Sequence, residues 1–153
     1  MASGGSQYYP LPGFMFNVEF TGGNFSGESA FQEVSGLKVN FDVENITVGG
    51  ILSNTFKLPK VPTYENLVLK RGILTNSSIR DWILKAVNDF QFTPAAVAVT
   101  LINEKGSPVM TWNLTGAWPV RWEADPFNSM DNKVAVETLE LAYTSFTVKS
   151  GGS

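Results

Sequence analysis

The amino-acid sequence predicts a mainly β domain, an antiparallel β-barrel or sandwich with one flanking α-helix and an extended hairpin arm. About seven runs alternate apolar and polar side chains, as strands do, and only one segment has apolar residues at helical spacing. At 153 residues the chain has the size of one domain, predicted to span 1–153. Its Gly/Ser-rich ends, 1–7 and 149–153, are predicted to be flexible.

The N-terminal half of the sequence predicts three strands of the barrel or sandwich and the extended hairpin arm. Phe14 to Phe20 alternate apolar and polar residues and predict a first strand, which is expected to form a hairpin with a second strand, Phe31 to Phe41. Gly36 is expected to form a bulge in that second strand. Asp42 to Val61 contain a Gly-Gly turn between two half-apolar runs and predict the arm, after which Leu67 to Ile73 resume a core strand.

One segment predicts an amphipathic helix that covers the sheet. Ser78, followed three residues later by Asp81, resembles a capping box. The residues of the expected apolar face follow helical spacing: Ile79, Trp82, Ile83, Ala86 and Phe90.

Two further strands follow the helix, Ala96 to Asn103 and Pro108 to Trp122, and a four-residue turn joins them. In the second of these, six residues share one parity across Gly116 and are expected to share one face of a bent strand: Met110, Trp112, Leu114, Trp118, Val120 and Trp122. A polar loop, Glu123 to Lys133, precedes the last strand.

The last predicted strand, Val134 to Val148, carries apolar residues on both faces. Residues such as Val136 and Phe146 lie on one face, and Leu139 and Leu141 lie on the other. Because a strand that is apolar on both faces must be covered twice, and little chain is left to supply a second cover, another copy of the protein is a natural candidate. The content of charged residues, 16% against roughly 25% in typical soluble domains, also favours a subunit of an assembly.

The absence of Cys and His excludes most catalytic chemistry. It removes thiolate and imidazole catalysis, disulfides and the usual zinc and copper sites. Carboxylates remain, but Asp125, Asp131, Glu137 and Glu140 form no recognisable pair, and the loop with the two aspartates lacks the ligand ladder of a calcium loop. The sequence therefore predicts no catalytic residue, no metal and no cofactor, with a carboxylate glycosidase as a distant alternative.

Charge and hydropathy limit the possible partners. The net charge of -3 comes from 14 acidic and 11 basic residues without a basic run, so sequence-specific nucleic-acid binding is not expected. No apolar segment approaches the ~20 residues of a membrane span, and no signal peptide precedes the domain, so we expect the protein to be made and assembled in the cytoplasm. The main alternative function is a small-molecule-binding β-barrel with a pocket of Trp112, Trp118 and Trp122.

Six segments cover nearly the whole chain: YPLPGFMFNVEF from Tyr9, FQEVSGL from Phe31, LVLKRGI from Leu67, Trp82 in the helix, LINEKGSPVMTWNLTGAWP from Leu101 and VAVETLELAYTSF from Val134. Taken in this order, they resemble the tail-tube family, the inner-tube proteins of contractile phage tails and of phage-tail-like contractile injection systems. No single segment is specific for the family, but the six segments in this order are.

The resemblance implies six-subunit rings that stack into a hollow tube. A sheath would surround the tube, baseplate and terminator or cap proteins would close its ends, and toxin or DNA cargo would pass through its lumen in a particle that is released or acts at a target envelope. The resemblance also implies that Asp42 to Leu58 form an arm that reaches adjacent subunits. The residues predicted to contact neighbouring subunits are Ile51, Leu52, Phe56, Leu139, Leu141 and Tyr143.

Overall fold

A computed structural model describes residues 15–25, 30–49, 54–125 and 135–151. Within these ranges the chain forms ten strands and one helix. The elements are β1 (Met15–Thr21), β2 (Ala30–Phe31), β3 (Glu33–Ser35), β4 (Val39–Val48), β5 (Asn54–Tyr64), β6 (Leu67–Gly72), α1 (Ser78–Asp89), β7 (Ala95–Ile102), β8 (Pro108–Ala124), β9 (Val136–Ala142) and β10 (Ser145–Ser150).

Eight of the strands form one antiparallel sheet in the order β2-β1-β7-β8-β9-β6-β3, with β10 also paired to β8. Strands β4 and β5 form a separate two-stranded sheet. This confirms the mainly β antiparallel fold with one flanking helix and a hairpin arm. Over the described residues the large sheet is not closed into a barrel, so the barrel form of the prediction is wrong.

The two end strands of the sheet, β2 and β3, are short and follow each other in the chain. Strand β2 pairs with β1 and strand β3 pairs with β6, and Gln32 alone separates them in the chain. The Gln32 amide donates a hydrogen bond to the Lys70 carbonyl at 2.9 Å. Between β1 and β6 themselves, the described residues form no ladder.

Among the described residues, the predicted hairpin of the first two strands forms over two residue pairs, Phe16 with Phe31 and Asn17 with Ala30. Strand β1 instead pairs along its whole length with β7. The predicted second strand also ends early, at Ser35. Gly36, which follows it, has a φ of 91° and lies so close to the Asn66 carbonyl that a Cβ there would collide with it. Beyond Gly36 the chain enters the arm, which therefore begins at Val39 rather than at Asp42.

Strand β8 bends at Gly116, which has a φ of 66°. Leu114 and Ala117 are both buried, so the inward parity changes at the bend, and the pairing with β9 shifts again between Pro119 and Arg121. The expectation of one shared face is therefore wrong for Trp118 and Val120, which are exposed. By contrast, Trp112 and Trp122 pack against the core.

Helix α1 covers the sheet as predicted, with small differences at its ends. Its N-cap is Ser77 rather than Ser78, and the Ser77 hydroxyl accepts a hydrogen bond from the Arg80 amide at 3.0 Å. The predicted apolar residues are buried except for the last one, Phe90. Phe90 is the C-cap, with φ 50° and ψ 39°, and its side chain points away from the core.

The core lies between the sheet and helix α1. Its buried residues come from both halves of the sheet and from the helix: Val18, Phe20, Phe31, Leu67, Leu69, Ile79, Trp82, Ile83, Ala95, Val97, Val99, Leu114, Ala117, Leu139 and Leu141. This burial of apolar surface is the main stabilising contribution to the fold.

The predicted last strand divides into β9 and β10, with an interruption after Ala142. At the interruption the Thr144 amide donates to the Thr115 carbonyl at 2.9 Å, opposite the bend at Gly116. Val134 lies outside the described residues. Lys149 and Ser150, predicted to belong to a flexible end, pair with β8 as part of β10.

Candidate functional site

The arm is a ribbon of two strands, β4 and β5, that pair with each other and stand apart from the large sheet. The pairing runs from Val39 with Tyr64 at the base to Val48 with Asn54 near the tip, and shifts by one residue between Phe41 and Val43. Two-stranded ribbons are marginally stable alone in water. A surface that covers the apolar side chains of the arm would therefore increase the stability of the arm.

The apolar side chains of the arm change face along its length. Near the base, Phe41 and Val43 lie on the same face and are 61% and 53% exposed. Nearer the tip, Ile46 lies directly opposite Phe56, and Leu58 lies two residues further along that same face, which is the other face of the ribbon. Phe56 is 55% exposed, so the tip presents a second apolar surface.

The base of the arm is anchored by aromatic rings of the same subunit. The Tyr64 ring centroid lies 5.9 Å from that of Tyr143 and 5.0 Å from that of Phe146. The Tyr143 hydroxyl donates to the Gly36 carbonyl at 3.4 Å. Burial raises the pKa of Tyr143 to about 12, with smaller contributions from Tyr64 and Glu65.

The predicted contact residues fall into three groups. Ile51 and Leu52 lie outside the described residues. Leu139 and Leu141 are only 3% and 0% exposed within one subunit, so their side chains stabilise its own core. Of the remaining two, Phe56 is exposed on the arm, and Tyr143 is half-buried against Tyr64.

The large sheet also offers an unpaired strand edge. Strand β10 pairs with β8 on one side, and no described strand pairs with its other side. An edge of this kind presents free amides and carbonyls that can pair with another chain.

Three exposed aromatic residues form a cluster that the sequence did not lead us to expect, and we call it the aromatic ledge: Phe90, Phe92 and Trp118. The Phe90 and Phe92 rings meet edge to face at 5.1 Å, and the Phe92 and Trp118 rings do so at 5.7 Å. The available signal was the Phe-Gln-Phe run just after the helix and before Pro94, because apolar residues beyond the helix end need a cover of their own.

A buried charge network joins the sheet to the start of the helix. Arg71 Nε lies 2.7 Å from Glu137 Oε2, with side-chain exposures of 6% and 4%. Arg71 also donates to the Ser77 hydroxyl at 2.8 Å, and Glu137 accepts from Trp122 Nε1 at 3.0 Å. Arg80 Nε lies 3.6 Å from the same carboxylate. Glu137 is thus held in ion pairs, which gives it a structural role.

The other candidate carboxylates do not converge on a site. Glu140 accepts hydrogen bonds from Asn66 at 2.8 Å and from Arg121 at 3.2 Å, and these bonds, in that order, lower its pKa. Asp125 is exposed, and Asp131 lies outside the described residues. Within the described ranges, no group of three or more acidic residues is arranged to hold a metal ion.

The three tryptophans of the alternative hypothesis lie in different environments. Trp118 is exposed on the aromatic ledge, whereas Trp112 and Trp122 are half-buried at the edge of the core. A cavity of about 590 Å³ instead opens between helix α1 and the loop after β1, and it is lined by Trp82 together with polar residues such as Asp81 and Lys85. The small-molecule-binding alternative is therefore not supported.

In the part of the chain that the structure describes, no helix has the length and apolar character to cross a bilayer.

Comparison with protein-family models matches residues 12–147 to the family of the T4-like virus tail tube protein gp19. Among solved structures, a chain of the anti-feeding prophage (AFP) baseplate is 30% identical, with a TM-score of 0.74. The match covers 90% of this chain and 92% of that one. A chain of the sheath-tube complex of the extracellular contractile injection system PVC, in its extended state, is 25% identical with a TM-score of 0.72 and coverage of 97% and 99%.

More distant structures share the fold alone. Hcp1 from Flavobacterium johnsoniae is 13% identical, with a TM-score of 0.54 over 90% of this chain and 96% of that one. Comparison with curated protein sequences found no match.

Proposed function

Because the chain belongs to the T4-like virus tail tube protein family and is a structural tube subunit, we propose that it forms six-membered rings that stack into the inner tube of a contractile injection particle. The matched region spans residues 12–147, nearly the whole chain. The 25% identical relative comes from a sheath-tube complex, and its chain is covered almost completely.

The strongest support for this proposal is the exposed apolar surface of the arm. Its strands leave large apolar side chains in water, including Phe41, Val43 and Phe56, although the body of the subunit already has a buried core. A projecting ribbon with apolar residues on two faces gains stability when other subunits cover it. The free edge of β10 adds a second route to assembly, since strand pairing with a neighbour would satisfy its backbone groups.

The proposed role is mechanical rather than catalytic. Glu137 forms an ion pair with Arg71, and Glu140 forms one with Arg121. The chain also lacks Cys and His. The tube would act as a rigid conduit for toxin or DNA cargo, and the absence of a basic run fits a passage that does not retain its cargo.

The proposed partners follow from the assemblies in which the relatives were solved. Those assemblies are an AFP baseplate, an AFP tube-terminating cap, and PVC complexes of sheath and tube or of their terminator. We accordingly propose a sheath outside the tube and baseplate and cap proteins at its ends. We also propose that the subunits assemble in the cytoplasm before the particle is released or acts at a target envelope.

Electron microscopy of the purified full-length protein tests this proposal. We expect rings with six-fold symmetry, or stacked tubes, to form without cofactor or cargo. Light scattering should give a particle mass of six chains or of multiples of six. A compact monomer at high concentration, with no rings on the grid, would contradict the proposed assembly.

A further inference from the structure

Strands β1, β7 and β10 and the first half of β8 share a face that points away from the core. The pairing register defines its rows, because residues directly opposite each other in antiparallel strands lie on the same face. One row is Asn17, Thr100, Thr111 and Lys149, and the next is Glu19, Ala98, Asn113 and Thr147. The alternate rows hold buried residues, such as Val18 opposite Val99. We call the two outward rows the polar face.

The polar face consists mostly of small hydroxyl and amide side chains. The hydroxyls of Thr100 and Thr111 lie 3.3 Å apart, and the Thr111 hydroxyl also donates to the Gly151 carbonyl at 3.2 Å. Two residues in these rows are charged, Glu19 and Lys149, and both are exposed. Because one is acidic and the other basic, the polar face of each copy has no net charge.

The other half of the large sheet is charged on its outward side. Lys70 of β6 lies 3.7 Å from Glu33 of β3, and Arg121 of β8 lies 3.2 Å from Glu140 of β9. These outward positions alternate with buried ones such as Leu69. The scarcity of charge is therefore a property of the polar face and not of the whole sheet.

The two charged residues lie on the two outer strands of the polar face, β1 and β10. No described strand pairs with the outer edge of β10, and among the described residues β2 pairs with β1 only at Phe16 and Asn17. Strands β1 and β10 run in opposite directions, because three antiparallel pairings separate them. The β10 edge of one copy can therefore pair with the β1 edge of the next, which brings Lys149 and Glu19 of neighbouring copies together on one face.

The bulk of the subunit lies on the other side of these four strands. The core, helix α1 and the second half of the sheet all lie on the side of Val18 and Val99. In a ring of copies joined edge to edge, the bulky side faces outwards, where the circumference is larger. The polar face then faces inwards.

We propose that the polar face lines the lumen of the tube, and that Lys149 of each copy pairs with Glu19 of the next, which leaves the wall without net charge. The inference rests on the proposed tube assembly and names the surface that the cargo meets. A wall of hydroxyls and amides without net charge attracts neither polyanions nor polycations, so it does not retain cargo of either sign.

Charge reversal tests the pair. Glu19→Lys or Lys149→Glu alone places like charges at each boundary and should lower the fraction of chains in rings by about fivefold or more at low salt. The double variant restores opposite charges and should assemble like the native protein. The melting temperature of the unassembled subunit should not change, because both side chains are exposed. Glu104→Lys, an equal change of charge in the exposed turn between β7 and β8, is the matched control and should assemble normally.

A charge added to the polar face tests whether this face lines the lumen. Tubes of Thr100→Lys should bind a fluorescent single-stranded oligonucleotide and protect it from nuclease, and high salt should release it. Native tubes and tubes of Thr100→Gln, a long side chain without charge, should retain about tenfold less or below. Asn113→Lys, on the neighbouring strand β8, repeats the test at a second position. Asn88→Lys, on the exposed side of helix α1, should bind the oligonucleotide in a form that nuclease digests.

The two proposals fail in different ways. Native protein that forms no rings would contradict the tube assembly itself. A double reversal that assembles no better than the single variants would overturn the pair of Glu19 with Lys149. Oligonucleotide digested equally fast on Thr100→Lys and Asn88→Lys tubes would place the polar face outside the lumen. Native tubes that retain the oligonucleotide or a lysine-rich peptide would show that the wall is charged. Each of these last three results would overturn the inference and leave the tube assembly intact.

Discussion

The guanidinium of Arg71 on β6 lies 2.7 Å from the carboxylate of Glu137 on β9, and both side chains are buried. Arg71 packs over the Phe31 ring at 4.8 Å from its centroid and donates to the N-cap Ser77. The two residues of this ion pair thus connect four elements: the neighbouring strands β6 and β9, the short strand β2, and the start of helix α1. This arrangement holds the helix on the sheet from which the aromatic ledge and the arm extend.

Replacing Glu137 with Gln should destabilise the subunit strongly. The change removes the Glu137 carboxylate from a buried ion pair, and breaking such a pair by removing one partner typically costs about 3–5 kcal/mol. Urea unfolding of the unassembled subunit measures the loss. Glu123→Gln is the matched control, because it removes the same charge from an exposed pair with Arg121 and should cost less than about 1 kcal/mol. Equal losses in the two variants would contradict a structural role for the buried pair.

Gly36→Ala should be far more damaging than Gly106→Ala. Both glycines have positive φ, 91° and 82°, so both substitutions introduce backbone strain of roughly 1–2 kcal/mol. At Gly36 the new methyl group would also collide with the Asn66 carbonyl between β5 and β6, whereas Gly106 has open space around it. We expect an additional loss of about 2 kcal/mol or more at Gly36, measured as the difference in unfolding free energy. Similar losses at both positions would show that the close approach to Asn66 is unimportant.

Much of this fold is predictable because it depends on local patterns. Val18 and Phe20 are two residues apart, the spacing of one strand face, and Ile79 and Trp82 are three apart, the spacing of one helix face. These four residues lie in the core as expected. The family resemblance is likewise confirmed by the family match over residues 12–147.

The errors arise where long-range contacts decide the structure. The face of the strand on which Trp118 lies depends on the bend at Gly116. The alternation of apolar and polar residues does not predict how this bend changes the inward-facing positions. Phe90 satisfies helical spacing, but the helix ends there in a left-handed residue, so its ring faces solvent instead of the core. The ends of the open sheet are β2 and β3, and the chain passes from one to the other at Gln32. None of these outcomes follows from local sequence.

Stability at alkaline pH should depend on Tyr143. Burial raises its pKa to about 12, above the unfolded value of about 10, because the folded state favours the neutral phenol. Its contribution is therefore fully present below about pH 10 and is lost as the pH rises towards 12. In Tyr143→Phe the unfolding free energy should fall less steeply across this range than in the native protein. Parallel curves for the two proteins, measured by urea unfolding from pH 9 to 12, would contradict the assignment.

Replacing Phe56 and Leu58 together with Ser should abolish assembly while preserving the fold. Both side chains are exposed on the arm's tip face and contribute little to the core, so the unfolding free energy of the unassembled subunit should change by less than about 1 kcal/mol. Rings should disappear from micrographs, because the arm would lose its apolar contact surface. Val109→Ser, a change of an exposed apolar residue on β8, is the control for a general loss of surface hydrophobicity. A lower melting temperature with rings still present would instead show that the arm packs on its own subunit.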